Sequence, residues 1–263
     1  DDRRLLEVQC VDLVQERSDS QKEGSLTFHI ELPADIVRGG VAFADPEETD
    51  ALEVFVLTTS NELFTITLKR DLLARDTPPT DFDPASVVKK YAPSSFGFRY
   101  PYRMIAVSSL EIIVSLHDGS LLLLERQKNE SAAHWRETFY SEGGWSGTLK
   151  GLNPLKRRQT ARYGDLDLET NSAVDLAKSL DCKYVWTVTL DHQLKAWSAS
   201  TGRVALHMDL LHEKGDRDGS KRQPQYVMTA EQGKLLQIVK APDDADDGSL
   251  TRMDENGSYF VWI

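Results

Sequence analysis

Cysteine is almost absent. Cys10 and Cys182 stand far apart and without metal-ligand spacing, which argues against a disulfide framework and for a reducing compartment, with both thiols read as free and buried. No apolar run approaches the ~18–20 residues of a membrane-spanning helix. Positive charge is also short, since 31 Lys and Arg face 42 Asp and Glu, a formal charge of −11. Broad binding to nucleic acid or to an anionic membrane rewards clustered positive charge, so the balance argues against both. The first residues, DDRRLLEVQC, have neither an initiator Met nor a signal-peptide apolar region. The chain is therefore expected to be a piece of a longer protein.

Catalytic and metal-binding patterns are missing as well. His29, His117, His134, His192, His207 and His212 never form an H-x-H, H-x-x-E-H or H-E-x-x-H arrangement, so spacing offers no metal site. Gly143, Gly144, Gly147 and Gly151 do not make a Walker A sequence, and there is no G-x-S-x-G element. The pairs His117-Asp118 and Asp191-His192 resemble dyads on paper only. Sequence neighbours on a strand or turn point apart, so both pairs read as hairpin turns. No enzyme activity, cofactor, metal or small-molecule substrate is expected.

What is present is strand periodicity punctuated by turns. It is clearest in Tyr184–Leu210, YVWTVTLDHQLKAWSASTGRVALHMDL. Tyr184–Leu190 and Gln193–Ala199 read as strands joined by the two-residue connection Asp191-His192. Ser200-Thr201-Gly202 then forms a three-residue loop with Gly where φ > 0 is needed. In the third strand Val204, Leu206, Met208 and Leu210 alternate with Ala205, His207 and Asp209. Apolar strand, Asp turn, Trp-bearing strand and Thr-Gly turn together resemble the inner part of a WD-like propeller blade, with Asp191, Trp197 and Gly202 as its structural residues. Trp197 is expected in the core between blades. Lys195 shares its face, with its amine expected to reach water along the long stem.

The same unit recurs. Leu5–Leu13 and Ser25–Leu32 read as a hairpin, Glu53–Ser60 and Glu62–Lys69 as another across Asn61, and Glu111–Leu116 and Ser120–Arg126 as a third across His117-Asp118-Gly119. The run Leu121–Leu124 suggests a strand covered on both faces. Five prolines between Arg70 and Tyr102 point to connecting loop with one helical turn near Ala85–Tyr91. Residues from about 129 to 183 read as an insertion. It contains a short helix capped by Thr170, Asn171 or Ser172, with Val174, Leu176, Ala177 and Leu180 as its apolar stripe. Tyr226–Glu231 and Lys234–Ala241 form a further expected pair across Gln232-Gly233, leaving Ser258–Ile263 as a strand without a visible partner. Turns at Asn61, Asp118, Asp191 and Gln232 are 57, 73 and 41 residues apart, and the last interval matches the ~40–45-residue repeat of a regular WD propeller. The longer ones fit a blade plus an insertion. The fold expected is all-β, an irregular WD-like β-propeller with a short helical insertion, over residues 1–263.

One basic cluster stands out, Lys156-Arg157-Arg158 with Arg162. Together with Trp145 it is the candidate partner contact, against the plainer readings of a solvated run and a core Trp.

The segments Gly144–Pro154 (GWSGTLKGLNP), Ala161–Leu166 (ARYGDL) and the Tyr184–Arg203 hairpin with its T-x-x-L-D-H-x-L-K-x-W core resemble the large propeller-bearing scaffold nucleoporins of the Y-shaped outer-ring complex, fungal type. The likeness is best over about residues 110–210. It implies a seven-bladed N-terminal propeller followed by a long helical domain that this chain does not contain. It also implies a non-enzymatic building block of the nuclear pore, held by other nucleoporins and needed for pore assembly and for mRNA and protein transport. Two other classes stay open: a generic WD-like adaptor and a quinoprotein-type propeller enzyme.

Overall fold

The computed structural model describes residues 4–10, 26–44, 51–69, 84–97, 99–126, 135–140, 160–163, 166–179, 181–209, 237–240 and 259–262. Among them there are strands and short 3-10 turns and no α-helix. The opening hairpin is β1 (Leu5–Cys10) against β2 (Leu26–Glu31), antiparallel, with Leu5 opposite Glu31 and Cys10 opposite Leu26. A four-stranded antiparallel sheet then follows in chain order: β3 (Ile36–Phe43), β4 (Ala51–Thr58), β5 (Leu63–Lys69) and β6 (Val88–Tyr91). The next four strands make a second such sheet: β7 (Pro101–Ala106), β8 (Glu111–Leu116), β9 (Leu121–Arg126) and β10 (Trp135–Phe139). After the pair β11 (Thr160–Tyr163) and β12 (Leu166–Glu169) comes a third four-stranded sheet. It consists of β13 (Ala173–Lys178), β14 (Tyr184–Thr189), β15 (Gln193–Ser198) and β16 (Val204–Asp209). A last pair joins β17 (Gln237–Lys240) to β18 (Tyr259–Trp262).

Within these sheets the strands joined by short turns, β4 to β5, β8 to β9, β14 to β15 and β15 to β16, each pair with the strand just before them, because a short turn leaves the next strand no other neighbour in reach. Their central strands are buried on both faces. Val54–Leu57 in β4, Ile112–Leu116 in β8 and Leu121–Leu124 in β9 are buried at every position. That is why they read as continuous apolar runs rather than alternating ones.

The described residues fall into two compact units, one within Asp1–Ile112 and Leu124–Glu137, the other within Ile113–Leu123 and Thr138–Ile263. The first has a core of Val8, Ile30, Leu32, Val54, Val56, Phe64, Ile66 and Leu68. In the second, Val174, Leu176, Val185, Val188 and Ala196 are buried along β13 to β15.

Several expectations need correction. The helix expected from Val174, Leu176, Ala177 and Leu180 is the strand β13, paired with β14 from Ala173 opposite Thr189 to Lys178 opposite Val185. Ala173–Ala177 is buried on both faces, and a strand so covered has no period of two to betray it. Within 129–183, therefore, the described residues form the strands β10 to β13 and contribute no helix.

Pro101 begins a strand, a position that tolerates its missing N–H, so β6 lies inside the proline-rich stretch expected to be loop and β7 begins inside it. The expected helical turn there is a 3-10 turn at Pro84–Val87, ahead of β6. β3 was masked by Gly39-Gly40, where the pairing with β4 shifts register between Ile36 and Val41. The final strand does have a partner, since β18 pairs with β17; Tyr226–Glu231 lies outside the described residues.

Candidate functional site

Three hairpin tips share one construction. In each, a residue in the left-handed region donates its N–H three residues back: Asn61 to the Thr58 carbonyl at 3.0 Å, Gly119 to Leu116 at 3.1 Å and His192 to Thr189 at 3.0 Å. Their φ values are 61°, 80° and 61°. This is a type I turn followed by a left-handed residue, which closes a three-residue hairpin loop. The β14–β15 loop is thus Leu190–His192, one residue longer than the expected two-residue connection.

Asp191 sits at the third position of its turn and is exposed. Its Oδ1 accepts a hydrogen bond from the Thr189 hydroxyl, which also accepts the Gln193 N–H at 3.0 Å. Asp118 fills the same place and accepts bonds from Ser120, the backbone one at 3.1 Å. Ser60 stands there in the first sheet, bonded to Thr58 at 2.9 Å. Both carboxylates named in the paper dyads are turn locks. The His117 carbonyl accepts Ser172 Oγ at 2.9 Å and the Glu169 N–H at 3.0 Å.

Trp197 is only 6% exposed. Its indole N–H donates to Thr187 Oγ1 at 2.9 Å across β14 and β15, within the sheet. Its ring meets Tyr140, the residue after β10, with centroids 6.0 Å apart at 37°. The Tyr140 hydroxyl donates to the Ala199 carbonyl at 3.2 Å. One aromatic pair thus packs the end of the second sheet onto the third. Lys195 is buried on the same strand, 8% exposed, so it cannot serve as a surface reference.

Gly202 has φ +62°, and a Cβ there would stand 2.8 Å from Tyr140 Cδ1. Its N–H donates to the Ser198 carbonyl at 2.8 Å, closing a loop of four residues, Ala199–Gly202, where three were expected. The sequence called for a left-handed glycine; the structure adds that Tyr140 lies on it. Gly202→Ala should cost about 1–3 kcal/mol, from left-handed strain and a displaced ring together. Thr201→Ala, exposed in the same turn, should stay within about 0.5 kcal/mol. Denaturant midpoints of the two variants check this, and equal midpoints would remove Gly202 from the junction.

The other junction lies within the first unit and was not anticipated. Arg126, the last residue of β9, donates from Nη2 to both Glu53 oxygens, at 2.9 and 2.7 Å. The guanidinium lies 5.6 Å from the Trp135 ring centroid. Trp135 in turn meets Phe55 edge-on at 6.0 Å. A sequence signal existed: Glu53 is a charge inside an otherwise apolar strand, and such a charge must find a partner when buried.

Of the expected partner contact only Arg162 falls among the described residues. Arg162 is exposed on β11, opposite Asp167, while Trp145, Lys156, Arg157 and Arg158 lie outside the described residues. Among the described residues no three His, Cys, Asp or Glu are grouped to hold a metal, and no helix is long and apolar enough to cross a membrane.

Comparison with known proteins places this arrangement. The chain is 30% identical over 249 residues to Nucleoporin NUP120 of Chaetomium thermophilum, covering 91% of this chain and 19% of the relative. It is 30% identical over 193 residues to Nucleoporin nup120 of Schizosaccharomyces pombe, covering 73% and 16%. The chain thus spans less than a fifth of either relative's length. Among solved structures, the Cps50 (Swd1) β-propeller domain of Myceliophteria thermophila overlaps 70% of this chain and 45% of its own at 7% identity, with a TM-score of 0.42. The family model for the Nucleoporin Nup120/160 β-propeller domain matches residues 1–262, and with four-stranded sheets following one another in chain order, this chain belongs to the Nup120/160 β-propeller family.

Proposed function

We propose that this chain is the propeller portion of a non-enzymatic structural scaffold of the nuclear pore complex. It works at the nuclear envelope in the outer-ring Y complex, held by other nucleoporins, and supports pore assembly and the transport of mRNA and protein. The family match over residues 1–262 carries this reading. The chemistry of the site agrees with it. Asp118 and Asp191 lock their own hairpin tips, while Glu53, Arg126 and Trp197 bond to neighbouring strands, which suits a platform that must keep its shape. Trp145 and the basic residues Lys156, Arg157, Arg158 and Arg162 are the partner contact in this proposal, matched to acidic surfaces of neighbouring nucleoporins.

The test is to tag the full-length protein at its own locus. A punctate nuclear rim and co-purification of outer-ring nucleoporins are the expected result; a diffuse signal with none of them overturns the reading. Reversing Lys156, Arg157, Arg158 and Arg162 to Glu should weaken one co-purifying partner, with the loss growing at low salt.

A further inference from the structure

We propose that Glu137 is a charge-operated latch: its carboxylate closes the strap Pro93–Gly97, which runs from β6 toward β7, onto β10, and a second negative charge at Ser94 opens it. Four donors converge on this one side chain. Oε1 accepts the Tyr91 hydroxyl at 2.7 Å and the Ser94 N–H at 2.8 Å; Oε2 accepts the Ser95 N–H at 2.9 Å and the Ser94 hydroxyl at 3.1 Å. An ionised carboxylate accepts about four hydrogen bonds and donates none, so this one is saturated. All four donors come from the far end of the first four-stranded sheet and the strap after it.

Among the described residues the strap's other holds are its own 3-10 turn and the buried Pro93 and Phe96. Its 3-10 turn, Ser94–Phe96, is short, and the Phe96 and Gly97 N–H groups turn inward to Pro93 and Ser94 at 3.1 and 3.4 Å. The first N–H groups of such a turn have no partner within it and need an outside acceptor. Phe96 is fully buried and anchors one side; Glu137 holds the other. Burial pushes the Glu137 carboxyl up, but hydrogen bonds from Ser95, Tyr91 and Ser94 outweigh it and hold the group below the usual carboxylate range. At neutral pH the latch is therefore charged.

Ser94 is exposed, so its hydroxyl is the one donor of the four that can be altered from outside. A second anion beside Glu137 would place two like charges within hydrogen-bonding distance, where both cannot stay ionised and bonded. Opening the strap relieves them.

The readout is amide hydrogen exchange at Ser94 and Ser95 in the full-length protein. Ser94→Asp should lower protection there at least about tenfold, while the isosteric, neutral Ser94→Asn stays within about threefold, with the amides of β14 and β15 unchanged in both. Glu137→Gln should also lose about tenfold, because one carboxamide oxygen cannot serve four donors. If Ser94→Asp and Ser94→Asn exchange alike, or Glu137→Gln keeps wild-type protection, the latch does not work through charge and the proposal falls. Should Glu137→Gln fail to fold, the Ser94 pair alone decides.

Discussion

Trp197→Ala is expected to lower the stability of the complete propeller by about 3–5 kcal/mol, the usual cost of truncating a buried large aromatic. The ring occupies the junction between Tyr140 and the strand pair β14–β15, so its removal leaves a cavity facing an aromatic already pinned by its hydroxyl to Ala199. A pinned neighbour collapses poorly into a void, which favours the upper part of the range. The indole N–H adds a second, separable part. Thr187→Val keeps the shape but leaves that N–H buried without an acceptor, at about 1–3 kcal/mol. In the double variant Trp197→Phe with Thr187→Val neither group remains, so the two losses should not add. Lys183, whose side chain is 66% exposed beside Asp181, provides the surface reference, with Lys183→Ala within about 0.5 kcal/mol. Denaturant unfolding of the set checks the reading. A loss at Trp197 no larger than at Lys183 would mean that the ring bears no load.

The second large effect concerns the ion pair. Arg126→Ala should cost about 3–5 kcal/mol, because it strands the Glu53 carboxylate, 7% exposed, without its cation. The double variant Glu53→Leu with Arg126→Met should regain most of this and lie within about 1 kcal/mol of the parent, since exchanging a buried pair for apolar groups removes the desolvation cost along with the attraction. The Arg also covers Trp135, so the Met chain is needed to keep that ring packed. If Arg126→Ala alone is harmless, water reaches Glu53 and the pair does not join the sheets. Measuring all three midpoints at two salt concentrations separates the cases, because a buried pair is screened far less than an exposed one.

Much of this molecule is written locally. The three hairpin tips were readable because the turn chemistry lies in the tip itself: Asn61, Gly119 and the Asp191-His192 pair mark the places where the chain must turn left-handed or brace the turn with a side chain. The doubly buried β9 was readable from four consecutive leucines. Gly202 and Trp197 were legible as turn and core, and the resemblance over about residues 110–210 led to the family that the whole-chain match then established.

Only tertiary structure could decide the rest, because the deciding interactions join residues far apart in the chain. β13 carries an apolar run that suits a helix or a strand, and pairing with β14 made it a strand. β7 hides behind Pro101, and β3 behind two glycines whose cost is met by the neighbouring strand. Glu137 finds its donors more than forty residues upstream, Arg126 its carboxylate 73 residues away, and Tyr140 its seat on Gly202. Periodicity reports which face of a segment is covered, whereas what covers it depends on strands that meet only once the chain has folded. The sequence by itself determined where this chain turns and that its strands are buried; the folded arrangement decided which side chains bind one sheet to the next.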